Sequence, residues 1–141
     1  MQNLDTVFAA TGRVLIAALF LLSGVGKIVS PSMTEGYIAS AGLPAPLFGL
    51  LIAVLVEVGG GLLLIVGFRT RIVALLLAAF TLATALVFHH NFADQNAMTH
   101  FLKNFAIIGG LLQIAAFGAG AISLDNRISK SPGTVANVAP A

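Results

Sequence analysis

The sequence predicts an all-α integral membrane protein, a four-helix bundle whose termini both lie in the cytoplasm. Of its 141 residues, 58% are hydrophobic and only 9% are charged, whereas a soluble domain carries about 25% charged residues. Four apolar stretches approach the roughly 20 residues that a helix needs to cross a bilayer. No stretch alternates apolar and polar residues with a period of two, which argues against a transmembrane β-barrel.

The four predicted spans lie at about residues 7–29, 47–68, 72–90 and 101–122. The 30–46 segment contains three prolines and two glycines, which predicts a loop. The 69–71 turn is so short that the second and third spans must be antiparallel neighbours. We assign residues 1–126 to one domain and expect 127–141, where small and polar residues dominate, to form a flexible cytoplasmic tail.

The basic residues predict the orientation, because cytoplasmic loops carry an excess of Lys and Arg. Only Lys27 and Lys103 lie outside if both termini are cytoplasmic. The five basic residues inside are then Arg13, Arg69, Arg71, Arg127 and Lys130. We predict that Arg13, Arg69 and Arg71 set the topology and that the last two contact lipid phosphates. The scattered positive charges form no patch that would bind nucleic acid.

Small residues within the spans predict close helix packing. Glycines at 59–61 would form a flat surface for a neighbouring helix, and Gly109 and Gly110 would do the same in the fourth span. The stretches "GGLLLIVGF" (60–68) and "GGLLQIAAF" (109–117) share six of nine residues. This similarity is compatible with a duplicated helical hairpin and with chance resemblance between apolar segments.

Glu57 is the most informative residue, because it is the eleventh of the 22 residues in the second span. An ionised carboxylate near the bilayer midplane costs at least about 2.5–3.5 kcal/mol. At helical spacing Glu57 shares a face with Gly60 and Gly61, so it should point into the bundle. Lys27, Lys103 or both would supply the opposite charge from the outer ends of their spans.

Further polar residues could complete this buried cluster: Ser23, Thr84, His89, Asn104 and Gln113. Two interpretations stay open. Glu57 could belong to a structural ion pair that sets helix register, with Thr84 and Asn104 filling the remaining hydrogen bonds. Alternatively, the cluster could line a functional pocket open to the outside, where Glu57 titrates or binds a ligand.

The residues of the chain offer little support for a metal site or for thiol chemistry. His89, His90 and His100 match no zinc or haem spacing, so we predict no metal site and interpret them as polar ends of the third and fourth spans. The absence of cysteine excludes thiol catalysis, disulfides and cysteine-ligated iron–sulfur clusters within the chain.

Four segments resemble the DoxX family of small bacterial inner-membrane proteins, over about residues 5–126. They are "FLLSGVGKI" (20–28), "EVGGGLLLIVGFRTR" (57–71), "FTLATALVFHHNFA" (80–93) and "KNFAIIGGLL" (103–112). The resemblance implies a four-helix bundle in the plasma membrane, without assigning catalytic roles. The motif residues that it carries over are Lys27, Glu57, Arg69, Arg71, His89, Lys103 and Asn104. The family takes its name from a subunit of a thiosulfate:quinone oxidoreductase, and other members associate with membrane redox and stress-defence complexes.

The resemblance therefore implies an accessory or quinone-interacting subunit of a membrane redox system. No catalytic motif or redox centre is present in the chain, so electrons would come from a redox partner protein, and whether the chain is itself an enzyme stays open. No cofactor is demonstrable from the sequence, although a quinone is compatible with it. Membrane lipid and further copies of the chain are the other expected partners. The alternatives are a membrane scaffold without chemistry of its own and a small proton- or ion-coupled transporter component.

Overall fold

The computed structural model describes residues 2–130, and within this range the chain forms helices and no strand. The helices in chain order are α1 (Gln2–Val29), α2 (Pro31–Ser40), α3 (Pro46–Val66), α4 (Thr70–Phe88), α5 (Gln95–Phe117) and α6 (Leu124–Lys130). Four of them, α1, α3, α4 and α5, are long and apolar enough to cross a membrane. The predicted all-α bundle is therefore confirmed, whereas the side on which the termini lie stays a prediction.

The helix bounds differ from the predicted spans, most clearly in α5. This helix begins at Gln95 and ends at Phe117, rather than at 101 and 122. Its early start has a local cause, because the Asp94 carboxylate accepts hydrogen bonds from the backbone N–H groups of Asn96 and Ala97. Its early end follows from Gly118, whose φ of 82° leaves the helical region.

The 30–46 segment was expected to be a loop, and this is wrong for its first part, which forms α2. Pro31 occupies the first turn of α2, where a missing backbone N–H removes no helical hydrogen bond. The Ile38 side chain is buried, and a Cβ added to Gly49 of α3 would lie 3.4 Å from it. The helix therefore lies against the beginning of α3.

The bundle core lies between α1, α3, α4 and α5, around the fully buried Leu64, Leu77 and Leu111. The glycines act unequally in this packing. A Cβ at Gly61 would lie 2.8 Å from Leu21 of α1, and a Cβ at Gly60 would lie 2.9 Å from Leu77 of α4, while Gly59 faces open space. The expected flat surface therefore consists of Gly60 and Gly61. The two adjacent glycines of α5 also differ in their contacts, since Gly110 packs on Ile16 and Gly109 faces open space.

Arg13 connects three parts of the bundle at the end opposite to Lys27. Its side chain is buried, with 3% exposed. The guanidinium donates to the backbone oxygens of Ala119 and Ile122, the latter at 2.6 Å, and at 3.4 Å to that of Ile65. Whatever its effect on topology, Arg13 thus also holds α1 against α3 and against the segment before α6.

The predicted tail at 127–141 divides into two parts. Residues 127–130 belong to α6, so they are helical. Residues 131–141 lie outside the described range, and the expected flexibility there stays a prediction. The third span also shifts slightly, to Thr70–Phe88 instead of 72–90, and α1 begins at Gln2 rather than at 7.

Candidate functional site

Lys27 and Glu57 form an ion pair between α1 and α3. The Lys27 ammonium lies 2.8 Å and 3.0 Å from the two Glu57 carboxylate oxygens. It also donates to the Ser23 hydroxyl, one helical turn earlier, at 2.8 Å. The Glu57 side chain is 8% exposed and that of Lys27 is 24% exposed. The acid is therefore almost enclosed, while the ammonium stays accessible from one side.

The backbone of both helices is adapted to this pair. Glu57 lies in a π-helical turn, Leu55–Gly59, inside α3, and such turns are frequent at functional sites. Gly24 of α1 faces it: a Cβ there would lie 2.6 Å from the Val58 side chain and 3.2 Å from the Glu57 Cβ. Only glycine at position 24 lets α1 and α3 approach closely enough at this level.

The ion pair opens into a cavity of about 1050 Å³, which we call the Lys27 cavity. Five helices, α1 to α5, contribute to its lining. The polar side chains there are Ser23, Lys27, Ser30, Thr34, Tyr37, Ser40, Glu57, Thr81, Thr84, His89 and Asn104. Most other lining residues are apolar and include Phe20, Ile52, Phe80, Val87, Phe88 and Ile107. The result is an apolar chamber with one charged pair and a few hydrogen-bonding groups.

The α2 helix contributes one wall of the Lys27 cavity. The Tyr37 ring of α2 stacks on Phe88 at the end of α4, with ring centroids 5.0 Å apart. Met33 and Ile38 of the same helix also line the cavity. Sequence reasoning missed this wall because prolines suggested a loop, although an aromatic residue within that loop was a usable signal.

His89 lies among the lining residues where α4 ends. Its ring stacks on His100 of α5, with centroids 5.1 Å apart. Burial, together with the positive charges of His100 and Lys103, lowers the pKa of His89 below its ordinary value of 6.5. The lowered pKa favours the uncharged His89 imidazole, in which one nitrogen donates a hydrogen bond and the other accepts one.

The remaining polar residues of the predicted cluster have separate positions. Thr84 lines the cavity, but its hydroxyl donates to the Thr81 backbone oxygen at 2.9 Å. Asn104 also lines the cavity. Lys103 and Gln113 are exposed on α5 and do not line it. Lys27 alone is thus the ammonium partner of Glu57, and the expectation that Lys103 and Gln113 join a buried cluster is wrong.

The side chains that could ligate a metal ion lie apart within residues 2–130, and the absence of a metal site stays a prediction. No group of three or more His, Asp and Glu side chains converges there.

Arg69 and Arg71 are exposed on either side of the turn between α3 and α4. They lie at the end of the bundle opposite to the Lys27 cavity, as the predicted topology requires.

Fold and site together define a small polytopic membrane protein with an ion pair inside an apolar cavity. The model of the DoxX family matches residues 8–90, which include Lys27, Glu57 and His89. The chain is 42% identical over 130 residues to the inner membrane protein YqjF of Escherichia coli (strain K12), covering 92% of this chain and 98% of that protein.

A second relative, the inner membrane protein YphA of the same strain, is 37% identical over 126 residues, covering 86% of this chain and 90% of that protein. The chain belongs to the DoxX family, and it is a multi-pass protein of the inner membrane. No solved structure gives a significant match to the chain.

Proposed function

We propose that the Lys27 cavity binds the head group of a quinone and that the protein is a quinone-interacting accessory subunit of a membrane redox system. One observation carries this proposal: an ion pair stands inside a largely apolar cavity of about 1050 Å³ within a membrane bundle. Ligand pockets of about 300–1,000 Å³ typically combine apolar walls with a few polar groups. The redox associations that the family resemblance implies point in the same direction.

The polar groups of the cavity fit the carbonyl oxygens of a quinone. An ammonium has three N–H donors, and Lys27 directs its donors to the two Glu57 oxygens and to Ser23. Exchanging the Ser23 contact for a ligand carbonyl would keep all three donors satisfied. The Ser23 hydroxyl, released from Lys27, could then donate to the same carbonyl. His89 and Asn104 provide further donors among the lining residues.

The apolar walls suit the ring and the hydrocarbon tail of the same ligand. Phe20, Phe80 and Phe88 supply aromatic surface, and aromatic rings favour offset stacking with other flat rings. When bound, a quinone would supply two-electron redox chemistry that the side chains of this chain lack. Because electrons from a partner protein would reduce the quinone, its oxygens would take up protons. The pair of Lys27 and Glu57 would deliver a proton at the head group, and His89 would connect the cavity to the outer surface.

The two alternatives receive less support. A proton- or ion-coupled transporter needs a polar path through the bundle, but beyond Glu57 the described core is closed by Leu64, Leu77 and Leu111, each fully buried. A scaffold without chemistry does not need an apolar cavity around a charged pair. Both alternatives remain distinguishable by experiment, since neither requires a bound quinone.

The test is quinone binding by the protein purified in a mild detergent. The quinone that co-purifies would be extracted and quantified per protein chain, and a short-chain benzoquinone would be titrated onto the quinone-free protein. Lys27→Met should weaken binding at least about tenfold, because it removes a charge-assisted hydrogen bond. Lys103→Met is the matched control, since it also removes an outer lysine but one that does not line the cavity.

A second variant separates lost binding from lost folding. Gly26 lines the cavity and faces open space, so Gly26→Leu should place an apolar side chain inside the cavity, beside Lys27 in the chain, and leave the ion pair intact. We expect this folded variant to lose quinone binding as well. Equal quinone content in wild type, Lys27→Met and Gly26→Leu would refute the proposal and favour a scaffold. Proton flux in liposomes that Glu57→Gln abolishes would favour the transporter instead.

A further inference from the structure

A second pocket, of about 590 Å³, lies at the end of the bundle opposite to the Lys27 cavity. We call it the Arg71 pocket. It is bounded by the turn that precedes α4, by the end of α5 and by α6. Its polar side chains are Arg69, Thr70, Arg71, Ser123, Asp125, Asn126 and Ser129. The proposed quinone function makes no use of it.

Two guanidinium groups in this pocket are available for a ligand. Within residues 2–130 the ion pair of Lys27 with Glu57 is the only salt bridge, so neither Arg69 nor Arg71 is bound to a carboxylate. Arg71 extends towards the end of α5, where a Cβ on Gly118 would lie 3.4 Å from its Nε. The absence of a side chain at Gly118 thus leaves room for this guanidinium, and Arg71 lines the pocket.

Asp125 is the acid of the pocket, and its carboxylate is already engaged. It accepts hydrogen bonds from the backbone N–H groups of Arg69 and Thr70, at 2.7 Å and 2.9 Å. Desolvation by burial would raise the pKa of Asp125, but the hydrogen bonds from Thr70 and Arg69 and the charge of Arg69 outweigh it, so this pKa is lowered. The Asp125 carboxylate therefore occupies the backbone N–H groups at the amino end of α4. An anionic ligand would bind the guanidinium groups instead.

Apolar side chains border the same pocket. Phe117 is 80% exposed and Ile72 is 53% exposed, although both belong to membrane-spanning helices and line the pocket. The guanidinium groups at the helix ends therefore lie next to exposed apolar side chains on the membrane-spanning helices. This combination matches the two parts of a phospholipid, a phosphate and its acyl chains, better than it matches a free phosphate ion.

We propose that the Arg71 pocket is a binding site for an anionic phospholipid, whose phosphate is held by Arg71 and Arg69 and whose acyl chains lie along Phe117 and Ile72. Arg forms bidentate hydrogen bonds with phosphate oxygens. Basic pockets between transmembrane helices bind lipid head groups in the same way. The site differs from general contact with the membrane surface because three elements of the chain line it.

The test uses the full chain purified in a non-ionic detergent. Binding of phosphatidylglycerol and of phosphatidylcholine with identical acyl chains would be measured by native mass spectrometry and by the shift in melting temperature. We expect the wild type to bind phosphatidylglycerol at least about tenfold more tightly. Arg71→Gln and, separately, Arg69→Gln should each remove most of this preference. Arg127→Gln is the control, because it removes a positive charge from the same end of the bundle but outside the pocket.

Three outcomes would overturn the proposal. The first is equal binding of both lipids by the wild type. The second is an equal loss of preference in Arg71→Gln and Arg127→Gln, which would indicate a general charge effect. The third is displacement of phosphatidylglycerol by millimolar inorganic phosphate, which would assign the pocket to a soluble anion. Retained preference in Arg127→Gln together with its loss in a folded Arg71→Gln protein would support the lipid site.

Discussion

At the scale of single residues, the bundle depends on how Glu57 is compensated. A buried ion pair costs desolvation energy that its own attraction offsets only with good geometry. Here both carboxylate oxygens and a hydroxyl surround the Lys27 ammonium at 2.8–3.0 Å. The pair therefore contributes less to net stability than to register, because it specifies which levels of α1 and α3 face each other.

The pair can be tested by removing one charge and then both. Glu57→Leu leaves the Lys27 ammonium without its counter-charge, so we expect the free energy of unfolding in detergent to fall by about 2–4 kcal/mol, less than for a fully enclosed pair. The double variant Lys27→Met with Glu57→Leu should recover most of this loss. Chemical unfolding followed by circular dichroism measures both. A neutral or stabilising Glu57→Leu would indicate that Glu57 is uncharged and unpaired.

At the scale of helices, close packing rests on a few glycines whose neighbours differ. Gly60 and Gly61 contact α4 and α1 respectively, while Gly59 makes no close contact. Without water exclusion between helices, such contacts and hydrogen bonds hold membrane helices together. A helix face is thus specified by individual positions, and glycines adjacent in sequence have different roles.

This difference predicts opposite results for two substitutions in the same helix. Gly61→Ala would place a methyl group 2.8 Å from Leu21 and 3.2 Å from the Ala17 backbone oxygen, which we expect to cost about 1–3 kcal/mol through overpacking. Gly59→Ala meets no atom within 4 Å and should stabilise α3 by up to about 1 kcal/mol. Thermal unfolding in one detergent gives both values. Equal effects would contradict the assigned packing.

At the scale of the whole molecule, four helices are long and apolar enough to cross a membrane, and an even number of spans would bring the beginning of α1 and the end of α6 to the same side. That side carries Arg13, Arg69, Arg71, Arg127 and Lys130, and the opposite end carries Lys27 and Lys103. The excess of basic residues predicts that the termini are cytoplasmic. The Lys27 cavity would then open to the periplasmic side, and the Arg71 pocket would face the inner leaflet.

The lack of cysteine makes this orientation directly testable. Ser40→Cys at the end of α2 and Ser129→Cys in α6 each introduce a single thiol at an exposed position. A maleimide that does not cross the inner membrane should label Ser40→Cys in cells with a permeabilised outer membrane. It should label Ser129→Cys only after the inner membrane is disrupted. The reverse pattern would show that the bundle has the opposite orientation.

Part of the candidate site was predictable because it depends on local sequence. Helical periodicity is enough to predict that Glu57 points into the bundle. The energetic cost of a buried carboxylate is enough to predict that a cation lies beside it. The choice of Lys27 over Lys103 was not predictable, because it depends on which helix lies beside α3 at that level. The close contact of Gly24 with Val58 places α1, and with it Lys27, beside Glu57. Sequence patterns do not encode such a distance between helices.

The sequence by itself determined that the chain is a four-span membrane protein of the DoxX family, because hydropathy and motif order are read residue by residue along the chain. Only the tertiary structure decided that α2 walls the Lys27 cavity, that Arg13 holds three segments together and that Arg71 lies over Gly118. Each of these contacts joins residues far apart in the chain. Their formation depends on the order and spacing of helices around the bundle, which are set by side-chain packing and hydrogen bonding rather than by local composition.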